Sequence, residues 1–397
     1  LRKIIFIHNN YEPDHFPKFP DLDDRFYTYG FGSNLARNFK KYFPAYDVEM
    51  WRLDFYIDCY YEKNVHDVLF RIFPSHRVNK LGEFSFRFIK ELKKEVRKNN
   101  PILFVSHIHN WLLYQVLFFF KNSDIVTSHH GEWSPYFKFK HRTGFRKVRD
   151  CLDILTEKLL MKRVHTFMIC DKNQIPYLQK TAPESEFVLF STGLDTDKIH
   201  PVEKSKARKE LGWDDSKKYI LYVGKLYRYK QPMELIRIWE NIRQRIPELQ
   251  LVIIGNSPED EYFGETVKSG AMVLGRILNS ELNKYYSAAD VYVLISLRED
   301  YFGGTGIAPL ESLACNTPTV SNSLRNYMGD NISEIGEVPC TLEEYESAIE
   351  SALLNPDKYK NMRKSVEKFY SYKAVAENIE KVISNIISKN RKTHVSN

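Results

Sequence analysis

"YILYVGKLYRYKQPMELIRIWENIRQRIPELQLVIIG", residues 219–255, contains two short apolar runs that each end in glycine, with a segment of different period between them. The runs at 219–224 and 251–255 are continuously aliphatic or aromatic rather than alternating, as expected of strands covered on both faces. After Pro232, the residues Leu235, Ile238, Trp239, Ile242 and Ile246 recur at helical spacing, with Arg and Glu on the other side. Strand, amphipathic helix, strand is a βαβ unit, and a parallel sheet with helices on both faces follows.

The same alternation continues outward. "MVLG" (272–275) and "VYVLIS" (291–296) read as further buried strands, and "ELNKYYSAAD" (281–290) reads as a helix burying Leu282, Tyr285, Tyr286 and Ala289. In the first half, "KIIFI" (3–7), "YDVEMW" (46–51), "ILFVSH" (102–107), "DIVTSHH" (124–130), "TFMIC" (166–170) and "FVLFS" (187–191) are strand candidates. A chain of 397 residues, 43% of them hydrophobic, has content for two cores. The reading is α/β with two doubly wound, Rossmann-like domains, 1–195 and 196–370, joined by the polar stretch near 195–215. Open parallel sheets bind ligands outside the carboxyl ends of their strands, so two sheets facing across a cleft place the expected site there.

Composition removes several function classes. Cys59, Cys151, Cys170, Cys315 and Cys340 are odd in number and far apart, which suggests neither a disulfide framework nor a thiolate zinc site and fits a reducing compartment. "KIIFI" opens the chain without the zones of a signal peptide, and "WLLYQVLFFF" (111–120) is about half the length of a membrane-spanning helix. A soluble, cytoplasmic protein is expected. The net charge of +7 is partly concentrated in "KFKHRTGFRKVR" (138–149), which carries six Lys or Arg and no acid. It reads either as a solvated basic face or, with Phe137, Phe139 and Phe145 interleaved, as a peripheral contact with anionic lipid on the inner face of the membrane. No nucleic-acid recognition motif is present.

Two loops suggest phosphate chemistry. Gly224 ends a strand, with Lys225 next to it and Lys230 six residues on, so two ammonium groups from one loop can neutralise a diphosphate; solvated loop charges are the plain alternative. "SLREDYFGGTGIAPLES" (296–312) places Gly304, Thr305 and Gly306 before a helix, where main-chain N–H groups and the helix dipole favour an anion. Glu311 lies inside that helix, either as a solvated helix residue or as an acceptor for the vicinal hydroxyls of a ribose. Glu299 and Asp300, before the turn, either cap the strand end or, one of them, hold hydroxyls of a second sugar. Acids on both sides of an anion-binding turn suit a nucleotide diphosphate with a sugar at each end.

The run "GRILNSELNKYYSAADVYVLISLRED…GGTGIAPLESLACNTPTVSN" (275–322) resembles the donor-binding half of the retaining GT-B glycosyltransferases of family four, also called glycosyl transferases group 1. "VGKLYRYK" looks like that family's Gly-Arg-Leu…Lys, "FSTGLDTDKIHP" (190–201) like its linker entry, and "VTSHHGEW" (126–133) like its Thr-x-His-Gly loop. The chain departs from the pattern in two places. Seven residues before Glu311 stands Gly303 rather than an acid, which is read as an insertion within "DYFG" with Glu299 keeping the acid's role and Asp300 second to it. The N-terminal Gly-Gly loop is replaced by Gly30 and Gly32 close to Leu35 and Ala36.

The resemblance implies metal-independent transfer of a sugar from a nucleotide-diphosphate sugar to a glycan, lipid-linked saccharide or polysaccharide acceptor, with retention at the anomeric carbon. Lys225, Lys230 and the Gly304–Thr305–Gly306 amides would take the diphosphate, Glu311 the ribose, Glu299 the donor sugar, and the backbone at Arg276 and Ile277 the base. His130 would contact the donor sugar from the first domain, the acceptor-binding one. No cofactor or metal site is implied; His107 and His109 lack a third ligand and read as structural. The amphipathic segment at 371–390 would return to pack on the first domain. An idle nucleotide-sugar-binding or partner-binding module and a nucleotide-sugar epimerase are the alternatives.

Overall fold

The computed structural model describes residues 2–9, 31–78 and 82–395, apart from the side chains of residues 77, 78 and 390–395. Gly30 lies outside them. The chain divides into two compact units, Leu1–Thr192 with Val375–Asn397, and Gly193–Ala374.

The first unit runs β1 (Ile4–Asn9), α1 (Phe31–Tyr42), β2 (Val48–Asp54), β3 (Tyr61–Val65), β4 (Val68–Pro74), β5 (His76–Val78), β6 (Gly82–Phe84) and α2 (Phe86–Asn99). It continues through β7 (Ile102–Ser106), α3 (Trp111–Phe119), β8 (Ile125–Ser128), α4 (Pro135–His141), α5 (Phe145–Leu160), β9 (Thr166–Ile169), α6 (Ile175–Thr181) and β10 (Glu186–Leu189). Eight strands form one sheet in the order β10-β9-β8-β7-β1-β2-β4-β3, parallel except for the edge strand β3. β1 and β2 are buried at every residue, because helices cover both faces. One face packs Leu35, Ala36 and Phe39 of α1 with Val375, Ile379, Val382 and Ile386 of the C-terminal helix Tyr372–Val395; the other carries α2 and α3.

Residues 61–84, which periodicity left unassigned, add β3 to β6. The β3–β4 hairpin turns through His66 and Asp67, both at positive φ (52° and 59°), a conformation usually signalled by glycine or asparagine. Nothing in the local sequence announced that turn, and β3, polar and mostly exposed at the edge, has no apolar period.

The second unit contains α7 (Lys204–Leu211), β11 (Lys218–Val223), α8 (Pro232–Arg243), β12 (Leu249–Ile254), α9 (Phe263–Lys268), β13 (Met272–Val273), α10 (Leu282–Ala288) and β14 (Val291–Val293). Then come α11 (Ile307–Ala314), β15 (Thr319–Val320), α12 (Ile332–Ile335), β16 (Gly336–Glu337), α13 (Leu342–Leu354) and α14 (Met362–Tyr370). Its six strands are all parallel, ordered β13-β12-β11-β14-β15-β16. α8 buries Leu235, Ile238, Trp239 and Ile242, and the Trp239 indole donates to Leu249 O at 3.2 Å, tying the helix to the next strand. β13 and β14 stop earlier than the apolar runs that contain them, and β15 and β16, two residues each, are too short to carry a period.

Candidate functional site

In the second unit the strand order reverses between β11 and β14, so the loops leaving these neighbours diverge and open a crevice at their carboxyl ends. Gly224, Gly255 and Gly275 follow β11, β12 and β13. Gly224 N donates to Ile254 O at 2.8 Å and Gly255 N to Gly275 O at 2.6 Å. Gly224, at φ 151°, lies under the Lys230 ammonium, and a Cβ there would stand 2.8 Å from Nζ. Burial, then the neighbouring Lys225, push the Lys230 amine down to about 8, with Asp260 opposing. Lys225 Nζ reaches the Tyr227 hydroxyl at 3.3 Å. Asp260, buried, accepts from Leu226 N at 3.0 Å and Ser257 N at 3.2 Å, pinning the lysine loop to the loop after β12. The Gln231 side chain accepts from Leu297 N at 3.1 Å and so joins the two diverging loops.

Across the crevice, Gly304 (φ 62°) and Gly306 (φ 83°) shape the turn before α11, where the backbone must be left-handed. Among the described residues, no protein acceptor takes the amides of Gly304, Thr305 or Gly306. Ser323 holds the turn by donating to Thr305 O at 2.9 Å. Tyr301 and Phe302, in the stretch read as an insertion, turn inward; the Tyr301 hydroxyl lies so close that a Cβ on Gly303 would meet it at 2.9 Å. Glu311 is buried on α11, accepting from the Tyr286 hydroxyl at 2.7 Å and from Asn279 Nδ2 at 3.1 Å. Burial raises its carboxyl and these two donors restrain the rise. A carboxylate has about four lone-pair positions, so two more donors can be accepted. Glu299 is exposed in the loop between β14 and α11, and Asp300 is ion-paired with Arg298 at 2.9 Å. After Gly275, Arg276 is exposed and Ile277 packs partly against the core.

In the first unit the order reverses between β1 and β7, and histidines gather there. His8 stacks on His107 with ring centres 5.2 Å apart, and Phe31 lies 4.2 Å from the His130 ring. His107 Nδ1 donates to Glu132, whose other oxygen accepts from His130 N at 2.7 Å. His130 Nε2 is hydrogen-bonded to Ser128 Oγ at 2.7 Å, and burial, then His107, push its ring down to about 3, so it is neutral at pH 7. His129 is buried against Cys170, and His109 pairs with buried Glu157 at 2.7 Å. Among the described residues, no group of three or more His, Cys, Asp or Glu is placed to hold a metal ion. Gly32 lies within α1.

The basic run at 138–149 does not form one surface. It spans the end of α4 and the start of α5: Arg142 pairs with buried Asp150 at 3.0 Å, Lys147 lies over the Phe139 ring, and Phe145 is 87% exposed. Among the described residues no helix is long and apolar enough to cross a membrane.

Sequence reasoning did not find Asp260, Tyr286, Asn279, Tyr301 or Glu132. Each meets a partner distant in sequence or turned by the fold; the acids of "NSPED" (256–260) after the β12 glycine are the local signal that could have pointed to Asp260.

Residues 203–369 match the family model "Glycosyl transferases group 1". A D-inositol 3-phosphate glycosyltransferase of Segniliparus rotundus is 26% identical over 43% of this chain and 40% of its own. The chain spans less than two thirds of the length of the curated relatives it matches, 32% of one and 58% of another. Among solved structures, a sucrose-phosphate synthase from Thermosynechococcus elongatus superposes with TM-score 0.69 at 18% identity, covering 98% of this chain and all of that one. Anabaena HepE, solved in complex with UDP, does so with TM-score 0.66 at 12% identity, over 96% of this chain and all of that one. Two Rossmann-like parallel-sheet units and their solved neighbours give this chain a GT-B-type fold, and within its second unit residues 203–369 match the glycosyl transferases group 1 model.

Proposed function

We propose that the chain moves a sugar from a nucleotide-diphosphate sugar to an acceptor hydroxyl, with retention of anomeric configuration and without a metal ion. The observation that carries this reading is the Lys230 ammonium, half-buried over Gly224 with no ion pair among the described residues, at the edge that also presents the acceptor-free amides of residues 304–306. A buried cation beside unsatisfied N–H groups favours an anion. The donor's anomeric carbon–oxygen bond breaks with its electron pair on the diphosphate, and the acceptor oxygen bonds the same face and gives its proton to the departing diphosphate. Lys225, Lys230 and the turn amides stabilise that developing charge. Glu311, held in place by Tyr286 and Asn279, takes the ribose; Glu299 takes the donor sugar, and the backbone at Arg276 and Ile277 takes the base. UDP and UDP-glucose, bound in the Anabaena structures, are the first donors to assay.

The acceptor is a glycan, a lipid-linked saccharide or a polysaccharide, and the protein works in the cytoplasm as a peripheral partner of an anionic membrane. On α5, Phe145, Val148, Leu152, Leu155 and Leu159 recur three and four residues apart and are all exposed. Lys140, Arg146, Lys158 and Lys162 are exposed nearby, whereas Asp150 and Glu157 are buried. Vesicle co-sedimentation with and without anionic lipid tests this, and no binding at low salt would remove the membrane from the reading.

Nucleoside diphosphate release, followed over many turnovers with an acceptor panel and EDTA, tests the transfer. Product NMR reads the anomeric configuration. Release that stops at one turnover, or an inverted product, overturns the corresponding claim.

A further inference from the structure

We propose that the first unit holds a subsite for a single sugar or polyol ring carrying an anionic group, phosphate or carboxylate, and that this ring belongs to the acceptor. The inference rests on the glycosyltransferase reading above and adds the chemical class of the acceptor to it. The loops after β7 and β8, the start of α3, and the facing sides of α4 and α5 enclose a cavity of about 410 Å³. That lies within the size range of small-molecule sites, roughly 300–1,000 Å³, and the cavity sits at the carboxyl edge of the sheet, where such sites form.

Its lining has three kinds of group. Trp111 and Trp133 supply flat aromatic surface for the apolar side of a ring. Glu132 and Asp153 supply carboxylates for hydroxyls, and Glu132 is already oriented by His107 and the His130 amide. Lys138 and Arg149 supply positive charge, and these two members of the basic run are turned inward rather than toward a lipid surface.

The charges decide the ligand. Among the described residues Lys138 makes no ion pair, and Arg149 meets Asp153 only at 3.8 Å. Burial, then Arg142, lower the Lys138 amine from its usual range, and Asp153, Glu157 and Asp150 oppose that shift only in part, so an anion paired with Lys138 offsets a cost that the protein's own acids leave. A neutral sugar leaves that ammonium unpaired. A phosphate or carboxylate pairs with it and takes parallel hydrogen bonds from the Arg149 fork. The ring hydroxyls then face Glu132 and Asp153 on the remaining wall.

The test is equilibrium binding to the full chain, by calorimetry, of glucose, glucuronate, glucose 1-phosphate and inorganic phosphate, with a nucleoside diphosphate titrated in parallel. At least one of the two anionic sugars is expected to bind about tenfold or more tighter than glucose, and the stronger of them identifies the anion. Lys138→Gln and Arg149→Gln are expected to bring that ratio close to one while leaving the nucleoside diphosphate affinity unchanged, which also shows that the variants are folded. Equal binding of glucose and the anionic sugars, inorganic phosphate binding as tightly as the sugars, or an unchanged ratio in both variants overturns the subsite. If the nucleoside diphosphate itself fails to bind, it is the glycosyltransferase reading that falls.

Discussion

Replacing Lys230 by Arg tests the anion site through its pH dependence. In the free protein the Lys230 amine sits at about 8 rather than its ordinary 10.5 because it is half-buried over Gly224 beside Lys225. In the proposed site the cationic form would bind a diphosphate, so affinity is expected to be level below pH 8 and to fall as the proton is lost above it. At pH 9 about nine in ten free molecules carry a neutral amine, and the dissociation constant for a nucleoside diphosphate is expected to rise about tenfold over its value at pH 7. Folding stability moves the other way. The unfolded chain keeps its proton up to the ordinary lysine range while the folded one has lost it, so stability rises with pH between about 8 and 10.5, by about 2–3 kcal/mol in total. Calorimetric titration at pH 7, 8, 9 and 9.5, with urea unfolding at the same values, reads both trends. Lys230→Arg keeps its charge throughout and flattens the affinity curve; Lys230→Met removes the stability increment. A wild-type affinity that is constant to pH 9.5, or one that falls identically in Lys230→Arg, refutes the argument.

Glu311→Gln keeps the side chain's size but removes the acceptor positions proposed for the ribose and clashes with the two donors, Tyr286 and Asn279; a loss of about 1.5–3 kcal/mol in nucleoside diphosphate affinity is expected by calorimetry, and a change under twofold counts against the ribose role. Gly224→Ala places a Cβ 2.8 Å from Lys230 Nζ at a φ that alanine disfavours, so nucleotide affinity falls by at least tenfold even where circular dichroism shows a folded chain. Tyr292→Phe removes a buried hydroxyl that has no hydrogen-bond partner in the described structure, and thermal denaturation is expected to show an unchanged or raised melting temperature, by up to about 1 kcal/mol in stability. His130→Ala is expected to lower transfer turnover at least tenfold and leave nucleoside diphosphate affinity intact, because His130 belongs to the other unit; equal losses in both measurements would contradict this.

How much was legible depended on whether the signal was local. The βαβ reading of 219–255 rests on residues whose burial follows from their own spacing: β11 and β12 are continuous apolar runs and α8 buries one stripe, so local pattern and tertiary role coincide. The Gly224–Lys230 spacing and the glycine turn before α11 were visible for the same reason, each lying within one loop. By itself, then, the sequence determined two doubly wound units, an α/β class and the two glycine loops proposed above to bind an anion. Tertiary structure decided the partners. Tyr286 and Asn279 meet Glu311 only because α10 packs beside α11, and Asp260 reaches the lysine loop only because β12 lies next to β11. The basic run looked like one surface in the sequence, but the turn between α4 and α5 sends Lys138 and Arg149 to the cavity, Arg142 to Asp150 and Phe145 to solvent. Charge and period are properties of a segment, whereas the direction in which a side chain points at a helix–helix turn is set by what the two helices pack against.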